Sequence, residues 1–227
     1  MKTILTMVFW MMATGAQAVL SVSQTFSPEV QIPNGNPVGV VSEGTFTAAP
    51  AGSPAYSVVG ISVTLNISGG YNGTLYACLV APNGTAVTLM NQPGVTADGF
   101  GAESSGMNVT LEDTAGLAIQ SQTGGYGSSL SGTYQPDEPL GTMGGSKANG
   151  VWEIYFADLG SGGGDAELNS WSLNLAVVPE PVAPALVIFL LVLVADTGWR
   201  NWRKKEKTGE PHWWGKRCGT GNDQGFI

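Results

Sequence analysis

The sequence has little positive charge over most of its length. Between Val19 and Val178, twelve acidic residues stand against a single base, Lys147, so this segment carries a net charge of −11, while the whole chain carries −8. Proteins that bind nucleic acid place many lysines and arginines against phosphate groups. The acidic body therefore argues against nucleic acid as a partner.

Histidine and cysteine are almost missing as well. The one histidine, His212, lies near the C-terminus, and the two cysteines are Cys78 and Cys218. Without histidine, residues 19–178 cannot assemble a Ser-His-Asp or Cys-His catalytic arrangement, and they lack the usual zinc ligands. Two cysteines are too few for a disulfide framework. We predict that both are unpaired and that Cys78 is a core thiol.

Glycine, apolar residues and a period-two pattern are what the sequence has instead. Segment 150–158 alternates inward and outward side chains around Trp152, and segment 168–177 does so around Trp171. A period of two is that of a β-strand with one face on a core. We predict that these two segments form an antiparallel hairpin with both tryptophans on its buried face.

Turn sequences such as Pro82-Asn-Gly84 separate further predicted strands. These strands are 19–26, 38–42, 56–67, 75–81, 85–91 and 107–111, with 118–120 as a continuation of the sheet. Strands at this spacing indicate an all-β fold over residues 19–178, namely a jelly-roll-like antiparallel β-sandwich.

Three segments carry more detailed expectations. In 56–67 the alternation places Val59, Val63 and Ile67 together on one face. Segment 75–81 is apolar on both faces, which predicts a strand buried between two layers. Residues 121–149 have few apolar side chains and are predicted to form a long surface excursion.

The N-terminus, residues 1–18, has the pattern of a signal peptide. An apolar run from Ile4 to Met12 is followed by Ala16 and Ala18, the small residues that signal peptidase accepts. We therefore predict export, with cleavage after Ala18.

The C-terminal region 179–205 combines three features in a fixed order. Pro179-Glu180-Pro181 comes first, the apolar run 182–195 follows and extends through 196–199, and the basic residues Arg203, Lys204 and Lys205 come last. The run predicts a transmembrane helix with its basic end on the cytoplasmic side, followed by a short polar tail at 206–227.

This combination resembles the PEP-CTERM sorting signal of Gram-negative bacteria that produce exopolysaccharide. The resemblance implies processing by exosortase, a membrane cysteine peptidase, and anchoring in the membrane before processing. It places the exported chain at the cell envelope or outside the cell. The chain continues past the basic cluster, where members of that family stop.

A second set of residues extends over about 30–177. They are Ile32-Pro33-Asn34, the segments 59–67 and 73–79, Ala81–Thr85 with Val87 and Leu89, Gly150–Trp152, Asp158 and Leu168–Leu173. Together they resemble the P domain (P/homo B domain) of kexin- and furin-like proprotein convertases and of some bacterial subtilases. The resemblance implies a jelly-roll β-sandwich that packs on a protease and stabilises it.

One acidic loop is a candidate metal site. Asp158, Asp165 and Glu167 flank a glycine-rich stretch, and carboxylates on such a loop can ligate Ca²⁺, which prefers oxygen ligands. The alternative is a solvated hairpin loop in which Asp158 caps backbone amides. No cofactor is required under either reading.

Two functions from different classes fit these observations. The first is an exported, non-catalytic binding or structural module at the bacterial envelope, with an extracellular polysaccharide as one candidate partner. The second is an accessory domain that stabilises a separately encoded, secreted, subtilisin-like protease. A third, a glycosidase, needs only a pair of acids, but no spacing singles out such a pair.

Overall fold

Ten strands and three short 3-10 turns follow one another along the computed structural model of the chain. It describes residues 18–48, 55–99, 101–180, 192, 194 and 195. The strands are β1 (Leu20–Phe26), β2 (Val30–Ile32), β3 (Val40–Phe46), β4 (Tyr56–Gly69), β5 (Leu75–Val80), β6 (Ala86–Asn91), β7 (Met107–Leu111), β8 (Leu130–Tyr134), β9 (Gly150–Asp158) and β10 (Ala166–Pro179). The 3-10 turns are Asn72–Thr74, Ile119–Ser121 and Leu140–Met143.

The strands form two sheets. Sheet A has the order β1-β10-β4-β7-β8, and β2 pairs with β10 beside this path. Sheet B has the order β3-β9-β5-β6. All these pairings are antiparallel except that of β7 with β8, which is parallel. The prediction of an all-β sandwich is confirmed.

The core lies between the inward faces of the two sheets, and two tryptophans are at its centre. Both rings are fully buried, Trp171 on β10 of sheet A and Trp152 on β9 of sheet B. The indole N–H of Trp171 donates to Ser42 Oγ on β3 at 3.0 Å, and that of Trp152 donates to the carbonyl of Ala148 at 3.0 Å. Because a buried N–H needs an acceptor, these bonds fix both rings, and the bond from Trp171 on sheet A to Ser42 on sheet B also joins the two sheets.

The predicted hairpin between 150–158 and 168–177 is wrong. β9 pairs with β3 and β5, whereas β10 pairs with β1, β2 and β4, so the two strands lie in different sheets. Period-two alternation shows which face of a strand is buried. The alternation is the same whether two strands pair within one sheet or pack against each other from different sheets, so it could not identify the partner of β9.

The predicted facing of β4 is correct only for its second half. Val63 and Ile67 are buried, but Val59 is 54% exposed and Val58 is buried instead. The register of β4 against β10 shifts between Ala176 and Val177. A bulge at this point inserts one residue and turns the following side chains to the opposite face.

Two other expectations are also corrected. β5 is not buried on both faces, because Tyr76, Cys78 and Val80 point outward and are only half-buried. The predicted surface excursion 121–149 contains β8, and its 3-10 turn places Leu140 and Met143 in the core. A parallel pairing gives no hairpin signal in the sequence, so β8 had no recognisable turn beside it.

The chain separates into two units, Met1–Glu180 and Pro181–Ile227. Among the residues that the structure describes, none belongs to a helix with the length and apolarity needed to cross a bilayer. The predicted signal peptide, the apolar run and the tail 206–227 lie almost wholly outside those residues.

Candidate functional site

The acidic loop between β9 and β10 holds its first carboxylate inside the protein. Asp158 continues the inward row of β9 and is fully buried, and its Oδ1 accepts the backbone N–H of Gly160 at 3.1 Å. This bond is the backbone-capping arrangement that the sequence offered as the alternative to a calcium loop. It occupies one oxygen of Asp158 and fixes the start of the loop.

The second carboxylate is engaged elsewhere. Asp165 accepts from Gln31 Nε2 at 2.7 Å and from the backbone N–H of Asn34 at 2.9 Å. Glu167 lies exposed on β10 opposite Gln31. Within residues 18–48, 55–99 and 101–180, no three His, Cys, Asp or Glu side chains form a group that could hold a metal. The structure therefore does not bring the three predicted calcium ligands together.

Two buried side-chain oxygens near this loop accept no hydrogen bond from the described residues. They are Oδ2 of Asp158 and Oδ1 of Asn72, both on fully buried residues. The amide of Asn72 donates to Ser104 Oγ and to the carbonyl of Gly106, each at 2.8 Å. A buried acceptor that finds no donor costs folding free energy, so these two oxygens mark positions where a donor would add stability.

The outward face of sheet A is polar and uncharged along one row that crosses five strands. Neighbours in register along this row all carry a hydroxyl group: Thr25, Ser172, Thr64, Thr110 and Thr133. Thr25 and Ser172 share a hydrogen bond of 2.8 Å, and Thr64 and Thr110 share one of 3.0 Å. We call this set the hydroxyl row. Side chains of this kind satisfy one another and water, as on an ordinary solvated sheet face.

The outward face of sheet B has a different character. Its central row, in register across the four strands, is Val41, Tyr155, Cys78 and Thr88, and the next row is Glu43, Glu153, Val80 and Ala86. We call these eight residues the sheet B outer face. It combines apolar side chains with two glutamates that lie directly opposite each other.

Cys78 lies at the centre of this face as a free thiol and not in the core. Burial raises the pKa of the Cys78 thiol, and the nearby Glu138 carboxylate raises it further, against the lowering effect of a backbone hydrogen bond at Val87. A raised pKa leaves little thiolate at neutral pH, so Cys78 is a poor nucleophile. Its position and its pKa both argue against catalysis.

Part of the predicted sorting motif belongs to the sandwich. Pro179 is the last residue of β10, and the backbone N–H of Glu180 donates to the carbonyl of Ala55 at 2.7 Å. The Glu180 carboxylate accepts from Ser57 Oγ at 3.1 Å. Ala18 is exposed, two residues before β1, and the other sorting and signal residues lie outside the described residues; they are Pro181, Arg203, Lys204, Lys205 and Ala16.

A sequence model of the proprotein convertase P-domain matches residues 58–175, which is just over half of the chain. The chain belongs to the proprotein convertase P-domain family. This family is an accessory, non-catalytic domain of subtilisin-like proteases, which agrees with the missing histidine in the body. The matched region begins in β4 and ends in β10, so it includes both buried tryptophans and Asp158.

Two solved structures are similar to this P-domain chain at low identity. The complex of Aeromonas sobria serine protease with its chaperone matches with 14% identity and a TM-score of 0.46, covering 72% of this chain and 27% of the other. The serine protease of Aeromonas sobria matches with 13% identity and a TM-score of 0.43, covering 70% of this chain and 27% of the other. The P-domain chain thus spans about a quarter of the length of those chains. No curated protein matches it.

Proposed function

We propose that this P-domain chain is a non-catalytic docking module that binds a subtilisin-like catalytic domain outside the cell and stabilises it. The observation that supports the proposal is the family match over residues 58–175, since the P-domain family accompanies subtilisin-like proteases. A two-sheet sandwich with a packed tryptophan core offers the rigid surface that such docking needs.

The chemistry of the body is consistent with this role. Residues 19–178 contain no histidine to act as a base, and the Cys78 thiol has a raised pKa. A module of this kind contributes binding free energy and not a reacting group. Stabilisation by binding follows from mass action, because a ligand that binds only the folded protease raises its unfolding temperature.

The direct test mixes the purified full chain with a subtilisin-like catalytic domain secreted by the same cells. We expect a 1:1 complex in size-exclusion chromatography and a higher thermal midpoint for the protease, rising with the concentration of the P-domain chain. An unrelated acidic β-sandwich of similar size is the control. If no secreted catalytic domain forms a complex or gains stability, the proposal is wrong.

We also propose export and retention at the cell envelope through residues 179–205, with processing by an exosortase-type enzyme near Pro179-Glu180-Pro181. The order of motif, apolar run and basic cluster in the sequence supports this. Cell fractionation with an intact-mass measurement tests it. The expected result is a mature chain that begins at Val19 and ends near the motif. A full-length chain in the cytoplasm would contradict it.

A second candidate function is adhesion to a neutral extracellular polysaccharide, and the hydroxyl row favours it. The row offers uncharged hydrogen-bond donors and acceptors, which suit a hydroxyl-rich polymer. The body carries a net charge of −11 and would repel an acidic polymer. Co-sedimentation with neutral and acidic polysaccharides distinguishes the two cases. We expect the unmodified chain to be retained on the neutral polymer and the Thr64→Lys variant not to be. If the unmodified chain is not retained, this candidate function is wrong.

A further inference from the structure

We infer that the sheet B outer face is the docking surface of this domain, and that its partner is a protein surface presenting apolar side chains beside at least one arginine or lysine. The inference rests on the proposed docking function and specifies where the partner binds and which chemistry it must carry. It begins from the disagreement between the sequence pattern and the structure of β5.

The apolar character of this face is not explained by the fold of the described residues. The sequence of β5 is that of a strand covered on both sides, yet nothing in residues 18–48, 55–99 and 101–180 covers its outward side chains completely. On the same face of sheet B, Val41 on the edge strand β3 is 53% exposed, and Val151 on β9 is 43% exposed. A sheet with one solvated face normally carries polar residues there, as sheet A does along the hydroxyl row. Clustered apolar residues on a surface mark an interaction site.

Two tyrosines give this face a fixed shape. The hydroxyl of Tyr155 donates to the carbonyl of Pro37 at 2.8 Å, and the rings of Tyr155 and Tyr76 contact edge to face with centroids 6.0 Å apart. The position of the Tyr155 ring requires glycine at residue 39, because a Cβ atom there would lie 2.7 Å from the ring. Rigid tyrosines are enriched at protein interfaces since they lose little conformational entropy on binding.

The charge of the face points to a basic partner. Glu43 and Glu153 are cross-strand neighbours, an arrangement that places the Cβ atoms of two like-charged side chains about 5 Å apart and is unfavourable for folding. The body has one base, Lys147, whose backbone forms a β-bridge with Ser57 on β4 of sheet A. None of the four strands of sheet B carries a base, so the two carboxylates have no basic neighbour on their own sheet. An arginine or lysine from a partner would remove their repulsion on binding.

The same charges disfavour a second copy of this chain as the occupant. Two sheet B outer faces brought together would place four glutamates in one interface, and buried like charges weaken association strongly. Self-association through this face is therefore not expected. The basic C-terminal region of the same chain is the remaining alternative occupant, and the test below distinguishes it.

The test compares variants of the full chain in binding to the subtilisin-like catalytic domain. Glu153→Lys reverses one charge of the pair and turns the repulsion with Glu43 into attraction, so the thermal midpoint of the chain should stay unchanged or rise. The affinity of this variant for the catalytic domain should fall at least about tenfold, because the new lysine faces a basic side chain of the partner. Glu153→Gln on the sheet B outer face and Thr64→Lys on the hydroxyl row of sheet A each raise the net charge of the chain by one. Only Glu153→Gln should weaken binding to the catalytic domain.

A photo-crosslinking residue at Val41, in the cells that produce the chain, gives an independent readout. The expected product is a cross-link to the catalytic domain, on a peptide that contains arginine or lysine, and Glu153→Lys should abolish it. A cross-link with this chemistry to a protein that is not a protease supports the face and contradicts the proposed function.

Three results would overturn the inference while leaving the proposed function intact. They are loss of protease binding with Thr64→Lys but not with Glu153→Lys, a cross-link from Val41 to a second copy of the chain, and a cross-link from Val41 to residues 181–227. The absence of any cross-link from Val41, with the catalytic domain still bound, is equally decisive against it.

Discussion

At the scale of single residues, the packing of the two sheets depends on how closely aromatic rings approach a backbone without side chains. Gly44 on β3 faces the Phe26 ring, and that ring stacks on Trp171 with centroids 4.5 Å apart. A Cβ atom at Gly44 would lie 2.6 Å from the Phe26 ring. The stack therefore requires glycine at this position.

We predict that Gly44→Ala lowers the free energy of unfolding by about 1–3 kcal/mol, because the added methyl group forces Phe26 away from Trp171. Urea denaturation followed by tryptophan fluorescence measures the change. Gly116→Ala is the matched control, since a Cβ atom there meets nothing within 4 Å. Equal stability of the Gly44→Ala variant and the unmodified chain would contradict the prediction.

Cys78 supplies a prediction about pH. Burial and Glu138 raise the pKa of its thiol, so the folded state holds the proton more tightly than the unfolded state does. The associated stability is fully present below the ordinary thiol pKa and is lost as the pH rises through the raised value.

In a Cys218→Ser background, alkylation of Cys78 by iodoacetamide should be slower in the folded chain than in urea at pH 8. The ratio of the two rates should approach one as the pH rises and both thiols ionise. Stopped-time alkylation followed by mass measurement gives both rates. A folded rate equal to the unfolded rate at pH 8 would show that the surroundings of Cys78 do not raise its pKa.

At the scale of elements, the loop between β9 and β10 crosses from one sheet to the other and does not close a hairpin. Two of its carboxylates accept hydrogen bonds that fix the path of the loop. Asp158 accepts from the backbone of Gly160, and Asp165 accepts from Gln31 and Asn34. The bonds of Asp165 fasten the loop to β2 and to the turn that follows it.

We therefore expect calcium to have no effect on stability. The thermal midpoint should be the same within about 2 °C in millimolar Ca²⁺ and in a chelator, because a ligand raises the midpoint only if the folded state binds it. Differential scanning calorimetry measures this. Asp158→Ala should lower the midpoint in both conditions alike, and a calcium-dependent midpoint would revive the metal hypothesis.

The sequence predicted most strands and their buried faces, and it failed where pairing and register decide the outcome. The strands 56–67, 75–81 and 85–91 were placed almost to their ends. The partner of β9 was wrong, because alternation carries no information about which strand lies beside it. The candidate calcium ligands stay a prediction from residue types along the chain, which could not reveal the bond between Asp165 and Gln31, a residue distant in sequence. The sheet B outer face could not be predicted, since it requires the register of four strands.

At the scale of the whole molecule, residues 19–178 carry no histidine that could act as the base of a Ser-His-Asp triad. We predict that the purified chain shows no peptidase activity on casein or on short fluorogenic peptides at pH 7–9. A secreted subtilisin assayed in parallel is the positive control. Turnover that follows the chain through purification and survives a serine protease inhibitor would contradict this prediction.

β10 has a further consequence for how the protein is made. It pairs with β1, β2 and β4, so the last strand joins segments from the beginning and the middle of the chain. Leu20 at the start lies opposite Val177 at the end, with Cα atoms about 5 Å apart. A polypeptide threaded through a secretion pore N-terminus first cannot close sheet A until its final strand has emerged. A circular permutant joined between these neighbouring ends and opened at Asn83-Gly84 would keep these pairings and release β10 before β1 to β5 during translocation.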